Sequence, residues 1–309
     1  MLTEFKAGDK IRHIVLCRVQ KVGNSANGGV FARGFASDNT AALPFISFDG
    51  YTVDVLRSLT GPRAFVVTGT IDMNRFAGDG SLQLLIQKIE PPLPEEDLSH
   101  LLPDGGVDLN EYGRRFDLLL GKIKDADILR LVRQVFSGRI WASFRTNPAG
   151  MSYHHAYIGG LLEHSVDTAE LAVAMGEKVK DADQDILIAG SLLHDIGKLR
   201  EISQDIGFPY TGEGKLLGHI AIGAMMAEEA ALGMDPPISG EKLQLIVHII
   251  ISHHGDQEKG SPINCRTKEA FIVHYADELN SVLNQFHPRE GKGWQYNKML
   301  ARNIFLGGE

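Results

Sequence analysis

Ser191-Leu192-Leu193-His194-Asp195-Ile196-Gly197-Lys198 sets a nitrogen donor beside a carboxylate and puts a lysine one helical turn further on. The apolar run Ile186-Leu187-Ile188-Ala189-Gly190 leads into it, which predicts that the pair rides on a buried helix. Adjacent His and Asp side chains satisfy one another poorly, yet both can lean toward one cation. The dipeptide alone carries little. With 12 His and 21 Asp in the chain, chance supplies roughly one such pair, so its weight depends on what surrounds it.

The surroundings are helical. Apolar residues recur at three- and four-residue steps, predicting helices over about 157–177, 184–198, 217–232, 240–254 and 267–286, with stops at Gly233, Pro236-Pro237 and Gly255. Tyr112 to Lys122 and Ile128 to Phe136 read as connecting helices that pack on this region. In chain order the region offers His164, His194-Asp195, His219, His253-His254 and Asp277, spread over the predicted helices. Several helices each sending an imidazole or carboxylate inward is how a bundle builds a metal site. Nitrogen and carboxylate donors without thiolate suit Mn, Fe, Zn, Ni or Co, with Mg also admitted, better than a structural zinc cage. Seven donors exceed what one tetrahedral ion needs, so two divalent ions sharing a carboxylate are expected. Such a pair can clamp both oxygens of an in-line phosphoryl displacement. A lone helical histidine is more often a core residue, and His248 and His274 stay open on that ground. His274 lies one turn before Asp277 and could support it.

The first ninety residues have a different pattern. Ile11 to Val22, Val30 to Ser37 and Thr40 to Phe48 read as strands, Tyr51 to Leu59 as a helix, and Ala64 to Met73 and Leu82 to Ile89 as two further strands. Three strands, a helix and two strands is the element order of a five-stranded OB barrel. On the second strand Phe31, Arg33 and Phe35 share a face by period two. Aromatics and a cation there suit stacking on bases and meeting phosphates, although either Phe could instead fill the barrel. Pro91-Pro92-Leu93-Pro94 marks the clearest boundary. The expected layout is therefore multidomain: an N-terminal OB-type β-barrel over 1–92, a linker with connecting helices over 93–150, and an all-α domain over 151–309.

Charge divides along the same line. The net charge is −8: residues 1–92 carry 10 Lys+Arg against 8 Asp+Glu (+2), and the remainder 21 against 31 (−10). The start Met1–Lys10 lacks the apolar core of a signal peptide, and no apolar run approaches a membrane helix. The two cysteines, Cys17 and Cys265, make no metal spacing. The expectation is a cytoplasmic protein with reduced thiols and no membrane partner.

The order His164…His194-Asp195…His219…His253-His254…Asp277 resembles the HD phosphohydrolase superfamily, helical metal-dependent enzymes that hydrolyse phosphomonoesters and phosphodiesters. That resemblance implies an HD-type helical domain. His164, His194, Asp195 and Asp277 would hold a primary ion, and His219 with His253 and His254 a second. Lys198 would lie near the phosphate. The segment Tyr153-His154-His155-Ala156-Tyr157-Ile158-Gly159-Gly160-Leu161-Leu162-Glu163-His164 resembles the entry to the HD domain in YhaM-type 3′-to-5′ exoribonucleases, which also carry an OB domain ahead of it. The implied function is a metal-dependent phosphodiesterase, an exoribonuclease on single-stranded RNA, with Mn²⁺ favoured. Asp195 would bridge the ions, Lys198 would offset phosphoryl charge, and His154 or His155 would donate to the leaving oxygen. The barrel's role is inherited mainly from architecture. DNA as substrate and a homo-oligomeric state stay open. So do an HD nucleotidase or cyclic-nucleotide phosphodiesterase with a regulatory β-domain, and a non-catalytic nucleic-acid-binding protein.

Overall fold

The computed structural model describes residues 1–24, 28–74, 80–103, 105–150, 155–286, 292–297 and 299–308. The chain divides into two compact units, Met1–Asp104 with Asp205–Gly207, and Gly105–Gln204 with Phe208–Glu309.

The first unit is a closed barrel of β1 (Lys10–Asn24), β2 (Val30–Ser37), β3 (Ala42–Ser47), β4 (Arg63–Met73) and β5 (Leu82–Glu90), in the order β1-β2-β3-β5-β4. All pairings are antiparallel except β3 with β5, where Phe45 faces Leu84 and Ser47 faces Ile86. The long β1 pairs with both β2 and β4, and a bulge between Val19 and Lys21 bends it. Helix α1 (Gly50–Arg57) falls between β3 and β4, as an OB barrel requires. Asp49 caps it by accepting from the Thr52 amide. Alternation then decides the core: Val15, Ala32, Ala36, Val67, Ile71 and Leu84 point inward with Val53 and Leu56 of α1, all fully buried.

The second unit is helical: α2 (Leu109–Lys122), α3 (Ala126–Val135), α4 (Arg139–Thr146), α5 (Gly160–Gly176), α6 (Gln184–Leu193), α7 (Lys198–Glu201), α8 (Gly212–Leu232), α9 (Gly240–Ser252) and α10 (Lys268–Leu283). A small hairpin of β6 (Trp294–Asn297) and β7 (Arg302–Phe305) follows. The connecting helices α2 to α4 belong to this unit's core. Phe116, Phe136 and Phe144 pack with Trp141 against the same cluster that buries Leu161, Leu162, Leu187 and Leu192. Among the described residues no helix is long and apolar enough to cross a membrane. Cys17 and Cys265 are free and buried.

One expected element differs. The helix expected over 184–198 stops at Leu193, and His194 to Gly197 form a tight turn before α7. The Ile196 amide donates to the Leu193 carbonyl and the Lys198 amide to the Asp195 carbonyl, the three-residue spacing of a narrower helix. The His-Asp pair therefore sits at a helix end, not along its flank.

Candidate metal centre

Five helices bring the donors together. Helix α5 carries His164, and α6 delivers His194 at its C-terminal end. Asp183 starts α6 by accepting from the Asp185 and Ile186 amides, and the apolar run from Ile186 to Leu193 sinks it into the core. Helix α8 is broken at Gly218, whose φ of 72° and ψ of 155° a side chain would resist. The break resets the helix at His219. His253 ends α9, His254 follows it, and Asp277 lies on the third turn of α10.

Hydrogen bonds fix which ring nitrogens face inward. Carbonyl and carboxylate oxygens only accept, so each Nδ1 that meets one must carry the proton. His194 Nδ1 donates to the Ser191 carbonyl at 2.6 Å and His253 Nδ1 to the Ile250 carbonyl at 2.8 Å. His164 Nδ1 donates to Asn280 Oδ1 at 2.7 Å, and His219 Nδ1 to Glu201 Oε1 at 3.1 Å. With Nδ1 committed in this way, each of the four imidazoles turns Nε2 toward the site, the arrangement in which a second partner orients a metal-binding histidine. The Nε2 atoms of His164 and His194 are 3.1 Å apart. Two lone pairs approach that closely only with a proton or a cation between them.

The donors fall into two groups, His164 with His194 and Asp277, and His219 with His253 and His254, each with its candidate atoms within 4.8 Å of one another. Asp195 lies between them. Its Oδ2 is 3.4 Å from both His164 Nε2 and His194 Nε2, and its Oδ1 is 3.5 Å from His219 Nε2 and 3.6 Å from His253 Nε2. Asp195 Oδ1, His219 Nε2 and His253 Nε2 are buried without a hydrogen-bond partner among the described residues. Buried polar atoms in that condition are costly unless something else meets them. The donor chemistry, nitrogen and carboxylate oxygen, fits a divalent cation in each group.

Electrostatics agree. Burial by itself would raise Asp195 and Asp277, but Lys198 and His194 beside the first, and His164 and His194 beside the second, hold both carboxyls well below the usual range. Burial would likewise lower His164, but Asp195 and Asp277 outweigh it and raise it to about 9. The proton on His164 stands where a cation would balance the same two carboxylates. His253 is pushed well below its ordinary value by burial, with His194 adding to the effect, and so stays neutral. Lys198 stays charged: burial opposes it, but Asp195, whose Oδ2 accepts from Nζ at 2.6 Å, raises it. A cavity of about 250 Å³ opens over Asp195, Lys198, His253, His254 and Asp277, with Met299 also on its wall.

The HD domain family matches residues 161–281. A protein named 3′-5′ exoribonuclease YhaM from Bacillus subtilis is 30% identical over 282 residues, covering 90% of this chain and 87% of that one. The chain belongs to the YhaM family. Proteins of that name from Bacillus velezensis and Oceanobacillus iheyensis are 30% and 29% identical to it, again over 90% of this chain. A solved structure of RecG bound to a three-way DNA junction aligns at 17% identity and a TM-score of 0.24, over 70% of this chain and 28% of that one, too low to carry an argument. As an HD-domain member of the YhaM family the chain is a hydrolase of phosphoester bonds.

Every donor singled out in the sequence lies in these two groups or between them. The expected proton donors are placed differently. His154 lies outside the described residues. His155 is 1% exposed. Its Nε2 donates to Asn280 Oδ1 at 3.0 Å, and its Nδ1 lies 3.0 Å from Tyr157 Oη and 3.1 Å from Glu163 Oε2. Both nitrogens are engaged below His164, so the ring supports that donor through Asn280. His274 donates from Nδ1 to the His253 carbonyl at 2.8 Å, a supporting contact. His248 accepts from the Arg266 amide, apart from both groups. Asn280 and Glu201 were not singled out in the sequence. Each stands three residues after a site residue, Asp277 and Lys198, and that one-turn spacing was the available signal.

Proposed function

We propose that the chain is a 3′-to-5′ exoribonuclease that removes nucleotides from single-stranded RNA in the cytoplasm, using two divalent cations of which Mn²⁺ is favoured. The observation that carries this reading is the carboxylate of Asp195, which turns one oxygen toward each of two imidazole groups. His164, His194 and Asp277 would hold one cation, His219, His253 and His254 the other, and Asp195 both. When bound, such a pair activates water and supplies Lewis acidity to the phosphoryl oxygens.

The chain's own residues do the rest. Lys198, charged and on the cavity wall, offsets negative charge growing on the phosphoryl oxygens. Asn280, Glu201 and the backbone carbonyls of Ser191 and Ile250 hold the imidazoles by Nδ1 and so turn Nε2 toward the site. His155 serves here as a positioning residue, not as the donor to the leaving oxygen.

Single-stranded RNA as substrate is supported by the barrel's outer surface. Ala32 and Ala36 of β2 point inward at 0% exposure, so Arg33 and Phe35 point outward, Phe35 at 37%. Register sets Phe35 beside Arg18 and Arg33 beside Lys21, and the Phe31 ring lies over Gly23. Rings interleaved with cations suit a strand whose bases stack and whose phosphates are exposed. The names of the relatives point the same way.

The test is a 5′-labelled single-stranded RNA with purified protein and Mn²⁺. Successive shortening from the 3′ end, stopped by EDTA and slowed by Phe35→Ala with Arg33→Ala, is the expected result. Hydrolysis of mononucleotides or cyclic nucleotides with intact RNA would replace this reading with a nucleotidase.

A further inference from the structure

Trp294, Tyr296 and Phe305 lie on one face of the C-terminal hairpin and are 73%, 63% and 48% exposed. Trp294 pairs with Phe305 across the strands, their rings 5.3 Å apart, and Tyr296 pairs with Asn303. The other face anchors the ribbon. Ile304 is buried, and Asn297 Nδ2 donates to Gln285 Oε1 at 3.3 Å just beyond α10. A two-stranded ribbon is marginal alone, yet this one is tied down on one side and leaves three large aromatics in water on the other. Such a patch marks an interaction site more often than an accident.

Charge says what kind. Between Gly291 and Gly308 the sequence has Lys292, Lys298 and Arg302 and no Asp or Glu, within a region of net −10. A symmetric contact between two such hairpins would set the same positive charges against each other. The hairpin reaches the site at its turn: Met299, in the loop between β6 and β7, lines the cavity with Asp195, Lys198 and Asp277.

We propose that this hairpin is a stacking platform for the bases of single-stranded nucleic acid next to the 3′ end being cut. Trp294 and Tyr296 supply faces that accept any base, and Phe305 backs Trp294. The platform rests on the exonuclease reading and adds a binding surface in the helical unit to the one on the barrel.

The full-length protein with Mn²⁺ is assayed on a 5′-labelled RNA 12-mer and on bis(p-nitrophenyl) phosphate, a diester without a nucleotide strand. Trp294→Ala with Tyr296→Ala should raise KM for the 12-mer about tenfold or more, leave small-diester turnover within about twofold, and be rescued by Trp294→Phe with native Tyr296. An unchanged KM overturns the platform. So does an equal loss on both substrates, which would mean a structural role. Loss of native size by sedimentation with unchanged KM overturns it in favour of a contact between copies. A second readout separates this proposal from the exonuclease reading. The chain has two tryptophans, so a Trp141→Phe protein reports on Trp294 alone. Titration with a nuclease-resistant 2′-O-methyl phosphorothioate 12-mer should quench its fluorescence. Quenching without RNA degradation removes the exonuclease and keeps the platform; degradation without quenching does the reverse.

Discussion

Gly197 offers the sharpest test of how the site is held together, because it binds nothing itself. Its φ of −64° and ψ of −19° are open to any residue, so what it supplies is space. A Cβ there would lie 2.0 Å from the His219 carbonyl oxygen and 2.5 Å from the Gly223 amide nitrogen. Ordinary contact begins at 3.4 Å, and both obstacles are backbone. Gly197→Ala therefore forces α8 away from the His194–Gly197 turn by on the order of 1 Å, at the point where α8 carries His219. Overpacking of this kind costs about 1–3 kcal/mol, against a total stability of about 5–15 kcal/mol, so the variant should fold, with a melting temperature lower by roughly 2–12 °C. Metal–donor distances tolerate only about 0.2 Å, and a misplacement of about 1 Å can cost about 100-fold in rate. The assays are thermal melting by circular dichroism, metal per chain by elemental analysis, and turnover of bis(p-nitrophenyl) phosphate. A folded protein with the His219 group's ion lost and turnover down about 100-fold is expected. Wild-type metal content and turnover would refute the claim that this backbone approach sets the position of His219.

Three further outcomes follow from the same geometry. His219→Ala should keep about one metal per chain and lose most activity, because His164, His194 and Asp277 are untouched; elemental analysis beside turnover checks it, and near-full activity would mean a single-ion site. Asn280→Leu removes the acceptor of His164 Nδ1 and should weaken metal affinity about 10- to 100-fold, measured by competition with a chromogenic chelator. In the barrel, burial by itself would raise Asp38, but hydrogen bonds from the Thr40 side chain, the Leu2 and Thr40 amides and His13 lower it to about 2. A depressed carboxyl stabilises fully above its unfolded value near 4 and loses that contribution as pH falls through about 2. The protection factors of β1 and β2 amides, exchange rates taken relative to the unfolded chain at the same pH, should therefore fall between pH 4 and 2 in the native protein, and much less in Asp38→Asn.

The elements of the barrel were legible because its strands alternate and its turns carry glycine or proline. The donors were legible because histidines on separate amphipathic segments are rare enough to stand out. The break after Leu193 was not legible. The apolar run through Ile196 continues a helical pattern, and what ends the helix is the approach of Gly197 to the α8 backbone, some twenty residues away in sequence. Asn280 and Glu201 were hidden for a related reason. One-turn spacing from a site residue is shared by many polar side chains, and it gains meaning only when a histidine from another helix arrives beside it. The hairpin was missed because strands of four residues with an outward Trp294 and Tyr296 show no apolar core face.

The convergence of four Nε2 atoms on the Asp195 and Asp277 carboxylates has a consequence for the lifetime of the chain. The donors come from segments more than one hundred residues apart in sequence, so the unfolded polymer cannot assemble them and a cation binds the folded form almost alone. At a free concentration one hundred times the dissociation constant, each ion then adds about 2.7 kcal/mol to folding. Metal starvation should therefore shorten the persistence of the folded chain against proteases, so that cation supply governs its abundance as well as its rate.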